Sequence, residues 1–328
     1  MTRFAFGLVA ALSVLSGTAF AQTPPPKLKH LHGHDLKVRK AGEENFTPTT
    51  QKVGIEFFHD TTGNAIVALS ETGSIAVAAF AAPGDVKKSE WLFAHNFRAR
   101  KSGEETFTPE TKKISVEIFR DISTTKLIFI SDLKTIALMD APAKLETDKE
   151  PVWHHALTLK VRGSNEVDFK VAKKIGLEVY KEGNSGGLVY VSETGSIATA
   201  AAPAAIPTTV KAPKALYGLK LQVRKADEGD FTETTKSYAL EAFSDPNSGA
   251  MVYISETGSI ATAPLPASMK TDQGVRWSHA TMYKVRKSGE ANFDKTTAKF
   301  GIEVFEDKNT GNLVYIAENG SIAVLAKK

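Results

Sequence analysis

Along much of this chain apolar positions recur with a period of two, in short stretches set apart by turn residues. Near the C-terminus, Trp277, His279, Thr281, Tyr283 and Val285 alternate with Ser278, Ala280, Met282, Lys284 and Arg286, which predicts a first β-strand. A second strand is expected over Phe300–Glu306, with Ile302 and Val304 on one face and Glu303 and Phe305 on the other. Asp307-Lys308-Asn309-Thr310-Gly311-Asn312 is turn chemistry and leads to a third strand at Leu313–Ile316. Glu318-Asn319-Gly320 then makes a tight hairpin, because Asn-Gly supplies the positive φ such turns need, and Ser321–Val324 forms a fourth strand. The connection between the first two strands, around Phe293, is long enough to hold a helical turn.

This unit is one of five. The stretch Leu36–Phe46 returns as Phe97–Phe107, Leu159–Phe169, Leu221–Phe231 and Tyr283–Phe293, with its arginine at 39, 100, 162, 224 and 286. Each unit but the second closes on a Glu-Thr-Gly-Ser-like turn followed by Ile-Ala, seen at Ser70–Ala76 and again from Ser192, Ser255 and Ala317. The second carries Ser131-Asp132-Leu133-Lys134-Thr135-Ile136 there instead. The boundaries read as a leader over 22–29 and repeats over 30–90, 91–152, 153–214, 215–276 and 277–328. Between repeats lie Ala81-Ala82-Pro83, Asp140-Ala141-Pro142, Ala200–Pro203 and Pro264-Leu265-Pro266; proline fixes φ and lacks the ladder donor, so these are connectors.

A four-stranded sheet with apolar residues on both faces needs cover on both. In the third strand Leu313 and Tyr315 point one way, Val314 and Ile316 the other. Repeats of this kind pack face to face, and a closed ring of four-stranded blades covers every face. The expectation is an all-β, five-bladed β-propeller; the alternative is an open array of small β modules on Ala/Pro tethers. The Gly-His and Trp-Asp signature of WD repeats is absent. Since the first repeat begins on strand one and the last ends on strand four, no blade draws strands from both termini, and ring closure would depend on side-chain packing.

Composition narrows the function classes. The 328 residues carry 41 Lys plus Arg against 37 Asp plus Glu, a net +4 with acidic residues interleaved among the basic ones, so no nucleic-acid stripe is expected. With no cysteine, disulfide scaffolds, thiolate metal sites and thiol nucleophiles are excluded. Residues 1–21 have a basic start, an apolar run from Phe4 to Leu15 and an Ala19-x-Ala21 exit, which together read as a signal peptide cleaved after Ala21. The run is too short and too interrupted for a membrane span, and no later segment reaches that length. The protein is therefore expected to be secreted or periplasmic.

Three sets of residues are candidates for chemistry. The first recurs in every unit: Arg39, Arg100, Arg162, Arg224 and Arg286 on strand one, and Glu56, Glu117, Glu178, Glu241 and Glu303 on strand two. A further Glu follows each arginine by four residues, and Phe58, Phe119, Tyr180, Phe243 and Phe305 follow the strand-two Glu by two. As a binding set, Arg and Glu would hold hydroxyls while the aromatic stacks on a sugar. As a structural set, Arg and Glu would pair across strands within each repeat and the aromatic would be core. The structural reading is favoured, because a pair copied with the fold belongs to the fold.

The second set is His30, His32 and His34, whose i, i+2, i+4 spacing on a strand puts three imidazoles on one face, open to a metal. Repeat alignment places His30 in a column with Trp91, Trp153, Ala215 and Trp277, and His32 in one with Phe93, His155, Tyr217 and His279, which reads as core or interface; convergence of His32, His155 and His279 in a ring is the other option. The third set, Asp307–Gly311 and Asp245–Gly249, faintly resembles calcium loops but has glycine at the fifth position, so hairpin turns are expected. Asn45-Phe46-Thr47 matches a glycosylation sequon inside a repeated loop. No nucleophile elbow, P-loop, His-Glu-x-x-His or dinucleotide motif occurs.

Neither a cofactor nor a resident metal is therefore expected. The leading expectation is a secreted, non-catalytic protein whose five units bind a carbohydrate or envelope polymer multivalently. The alternatives are an envelope scaffold without a small ligand and, third, a propeller hydrolase.

Overall fold

The computed structural model describes residues 28–146, 148–205 and 209–327. Residues 1–21, expected to be a signal peptide, and the leader up to residue 27 lie outside the described residues. Every element among the described residues is a β-strand, and the strands form five separate four-stranded antiparallel sheets, each in sequential order. The first sheet holds Leu28–Val38, Gln51–Asp60, Ala65–Ser70 and Ile75–Ala79. The others span Ser89–Asp140, Val152–Ala200, Lys214–Pro264 and Val275–Leu325. In the fifth, the strands are Val275–Val285, Ala298–Asp307, Leu313–Ala317 and Ile322–Leu325. The helical turn expected near Phe293 is absent; that stretch is a loop of bends and a turn, held by Glu290 N to Lys287 O and by Asp294 N to Thr297 Oγ1.

The fourth strand of each sheet lies innermost, and each packs on the fourth strands of both neighbours, including the last on the first. That contact closes a five-bladed β-propeller. Ile75, Ile136, Ile197, Ile260 and Ile322 line the central channel with their following alanines, and about 50 Å³ remains in it. Five apolar cores fill the five gaps between blades. In one, Leu36, Val53, Ile55 and Phe57 of the first blade meet Phe119, Ile128 and Ile130 of the second. In the closing one, Phe58, Val67 and Leu69 of the first blade meet Tyr283, Val304 and Tyr315 of the fifth.

Around the axis the Glu-Thr-Gly-Ser turns interlock. The Oγ of Ser74, Ser196, Ser259 and Ser321 each accepts the backbone N–H of a neighbouring blade's isoleucine: Ile136, Ile260, Ile322 and Ile75. Thr194 and Thr257 donate to the carbonyls of Gly258 and Gly320 in the next blade. The turn glycines take positive φ, 80° at Gly73 and 85° at Gly320, a conformation that favours glycine. The near-verbatim repetition of this turn follows from the repeated contact. Among the described residues no helix is long and apolar enough to cross a membrane.

Candidate functional site

The repeated charges meet between blades, not within them. Arg39 Nε and Nη2 reach Glu117 Oε1 and Oε2 of the next blade at 2.7 and 3.1 Å. Arg100–Glu178, Arg162–Glu241 and Arg224–Glu303 repeat the fork, and Arg286–Glu56, at 2.6 and 3.2 Å, carries it across the closing junction. The expectation of a pair inside each repeat is thus corrected, and strand register gives the reason. Glu56 lies opposite Gly33, six positions before Arg39, so an arginine at the end of its strand faces the neighbouring blade. Each glutamate side chain is at most 4% exposed.

The arms of these arginines are occupied. The remaining Nη1 donates to a loop carbonyl five residues on, that of Glu44, Glu105, Val167, Gly229 or Ala291. The Glu that follows each Arg by four caps the turn of that loop, Glu43 Oε2 accepting from Lys40 N and Glu290 Oε2 from Lys287 N. Phe58, Phe119, Tyr180, Phe243 and Phe305 are buried, each in the core shared with the preceding blade.

Above each ion pair stands an aromatic that the sequence showed as a repeated column without assigning it a role. Phe46, Phe107, Phe169, Phe231 and Phe293 cover the guanidinium, with ring centres 4.4 to 4.9 Å from its carbon. At three junctions a tryptophan of the next blade stands edge-on to this phenylalanine: Trp91, Trp153 and Trp277. Each indole N–H donates to the buried glutamate at 2.7 Å, which fixes the ring while Trp91 and Trp153 stay 44% exposed. The closing junction carries His30, donating to Glu56, in that place, and the third-to-fourth junction carries Ala215.

A second polar contact crosses each junction, four residues further along strand two. The acidic residue that ends strand two, Asp60, Asp121, Glu182, Asp245 or Asp307, is fully buried and accepts from a strand-one side chain of the preceding blade. His279 donates to Asp60, His155 to Asp245 and His95 to Glu182 at 2.9 to 3.0 Å, while Tyr217 donates to Asp307. Tyr315, Tyr190 and Tyr253, from strand three, donate to Asp60, Asp245 and Asp307 as well. The turns that faintly suggested calcium loops therefore supply junction carboxylates. The acidic column was legible in the repeats; its partner lies about 90 residues away in sequence and was not.

His32 and His34 both face Asp121, at 3.0 and 3.2 Å, but His30 does not join them. A β-bulge between His30 and His32 reverses the alternation, so His30 reaches Glu56 instead. His32, His155 and His279 do not converge; each lies on an outermost strand and engages a different carboxylate at the end of a second strand.

Burial alone would raise the carboxyls of Asp60, Asp121 and Asp245, but histidine hydrogen bonds and charge outweigh it and hold them below their ordinary 3.8. Glu56 and Glu182 lie below 4.5 by the same balance, with His30 and Arg286, or His95 and Ser185, opposing burial. The folded protein thus binds these protons more weakly than the unfolded chain, and unfolding takes protons up. The stability they contribute is complete above the unfolded values and is lost as pH falls through about 4.5 and below. Melting temperature measured from pH 6 to pH 3 should be flat down to about pH 5 and then fall steeply; an unchanged value at pH 3 would contradict the junction chemistry.

No protein-family model matches this chain, and no curated protein matches it. Among solved structures, the chain is similar to a virginiamycin B lyase from Staphylococcus aureus, at 11% identity over 90% of this chain and 89% of that one, with a TM-score of 0.13. The propeller rests on the strand order and on the contacts between innermost strands described above.

Proposed function

We propose that the chain is a secreted, non-catalytic module that binds an extracellular or envelope polymer, glycan in character, through the aromatic pairs on its rim. The observation that carries this reading is a tryptophan beside a phenylalanine, held over an arginine at three of five equivalent junctions and 44% exposed at two of them, Trp91 and Trp153. A ring that is apolar, exposed and fixed by a buried hydrogen bond offers a stacking face at low entropic cost. Several such faces around one ring favour a long, repeating ligand over a small one. The Arg and Glu residues support these rings and have their polar atoms occupied, so the aromatics are the contact residues of this reading. Export rests on residues 1–21.

Trp91→Ala, Trp153→Ala and Trp277→Ala test it, since each copies Ala215, beside which Arg162 and Glu241 pair without an indole. Binding to purified peptidoglycan and to a panel of soluble polysaccharides, followed by tryptophan quenching and affinity electrophoresis, should weaken roughly threefold to tenfold per substitution. In the triple variant it should collapse by more than the product of the three, with the melting temperature little changed. Equal binding by the triple variant would overturn the proposal. Failure of the wild type to bind any of these polymers would favour the second reading, a rigid envelope scaffold, which the saturated ion pairs at all five junctions support.

A further inference from the structure

The junction between the first and second blades differs from the other four. In the last three blades the strand-one column at His34 holds Leu157, Leu219 and Thr281, and the strand-three column at Ala68 holds Tyr190, Tyr253 and Tyr315. The tyrosine hydroxyl there occupies the carboxylate beside the histidine or tyrosine of strand one. The second blade has His95 and Phe129 in these columns, with Phe93 in place of the other histidine. Only the first blade combines a histidine in both strand-one columns with a small residue, Ala68, where the large ring would stand. Two imidazoles therefore meet one carboxylate, all three buried, with one ligand atom from each lying within 4.8 Å of the others.

We propose that His32, His34 and Asp121 form a binding site for a divalent transition metal, with zinc as the best fit, that clasps the first blade to the second. The donors are two neutral nitrogens and one carboxylate with no thiolate, a set that suits zinc and its neighbours better than magnesium or calcium. Both imidazole Nε2 atoms lie 3.0 to 3.2 Å from the carboxylate oxygens, close to the ligand–ligand spacing of a tetrahedral site, and the widest separation in the set is within 4.8 Å. Phe57 holds the two rings, stacked on His32 and edge-on to His34. Thr124 donates its hydroxyl to the same carboxylate.

On coordination each imidazole would bind through Nε2, the nitrogen that already faces the Asp121 carboxylate. His279 Nδ1 meets Ser278 Oγ at 3.0 Å and His155 Nδ1 meets His154, while His95 Nδ1 is buried without a hydrogen-bond partner. His32 Nδ1 is likewise buried without a hydrogen-bond partner. Burial of all three ligands leaves no open approach for a substrate, so the ion's role is structural.

The test uses untagged, chelator-treated full-length protein titrated with Zn²⁺ or Co²⁺ alone. The expected result is uptake of one equivalent, the visible absorption of four-coordinate Co²⁺, and a melting temperature that rises until one equivalent is bound. The double variant His34→Leu/Ala68→Tyr rebuilds the combination of Leu157 and Tyr190 and should fold without metal, keep its far-ultraviolet spectrum and lose uptake at least a hundredfold. His30→Ala should retain uptake. Unchanged uptake in the double variant, loss of uptake in His30→Ala, or less than one equivalent bound by the wild type would overturn the site.

Discussion

A chain cut before Val275, and so lacking the fifth blade, will not yield a soluble, cooperatively folding four-blade protein. The cut strips cover from two apolar faces at once. Phe58, Val67, Leu69 and Ile75 lose Tyr283, Val304 and Tyr315, while Tyr238, Leu240, Met251 and Tyr253 lose Phe305, Val314 and Ile316. At about 1.5–3 kcal/mol for each large apolar side chain returned to water, either face alone forfeits a sum comparable with the whole stability of a typical domain, roughly 5–15 kcal/mol. Polar losses add to it. Asp60 is left without His279 and Tyr315, and Tyr217 and Tyr253 are left without Asp307. Expression of the fragment should give aggregate or a dye-binding, non-cooperative state; a soluble fragment melting at the wild-type temperature would show independent modules on tethers.

The second large effect is expected from one atom group at the closing junction. Glu56 accepts from Arg286 Nε and Nη2 and from His30 Nε2, and its side chain is 3% exposed. Glu56→Ala leaves Arg286 Nε and Nη2 and the more exposed His30 without their shared acceptor, and loss of one partner from a buried pair costs about 3–5 kcal/mol. Arg286 is more exposed, so Arg286→Ala leaves the carboxylate partly reachable by water and should cost less. Thermal or urea unfolding of the two variants at pH 7 should rank them in that order, with Glu56→Ala lowering the midpoint by on the order of 10 °C.

Strand number and the ring itself were legible because each depends on a local signal: period-two alternation, Asn-Gly turns and five copies of a two-faced sheet. The partners of the repeated charges were not, because pairing across blades is a property of neighbours 78 to 90 residues apart, or 230 at the closing junction. A repeat alignment shows that Arg39 and Glu117 belong to periodic columns but leaves open which copy of one meets which copy of the other. The bulge after His30 was invisible for a related reason. It adds one residue to a strand whose alternation still reads as regular, and it turns three histidines expected on one face into a pair and a single. Nor could the first-blade cluster be read from its histidines, since what opens the space is Ala68, thirty-four positions beyond His34 and unremarkable by itself.

The claim that the repeats close into a ring through contacts between neighbours is tested most directly by two double-mutant cycles that share Arg286. One pairs Arg286→Ala with Glu56→Ala, at opposite ends of the sequence; the other pairs it with Glu303→Ala, in the same repeat. In the ring, Arg286 forks onto Glu56 while Glu303 is held by Arg224 and Trp277. The first cycle should therefore couple by about 1–3 kcal/mol and the second should be additive to within about 0.5 kcal/mol. Coupling confined to Arg286 and Glu303, with Glu56 additive, would place the ion pair inside the repeat and contradict closure.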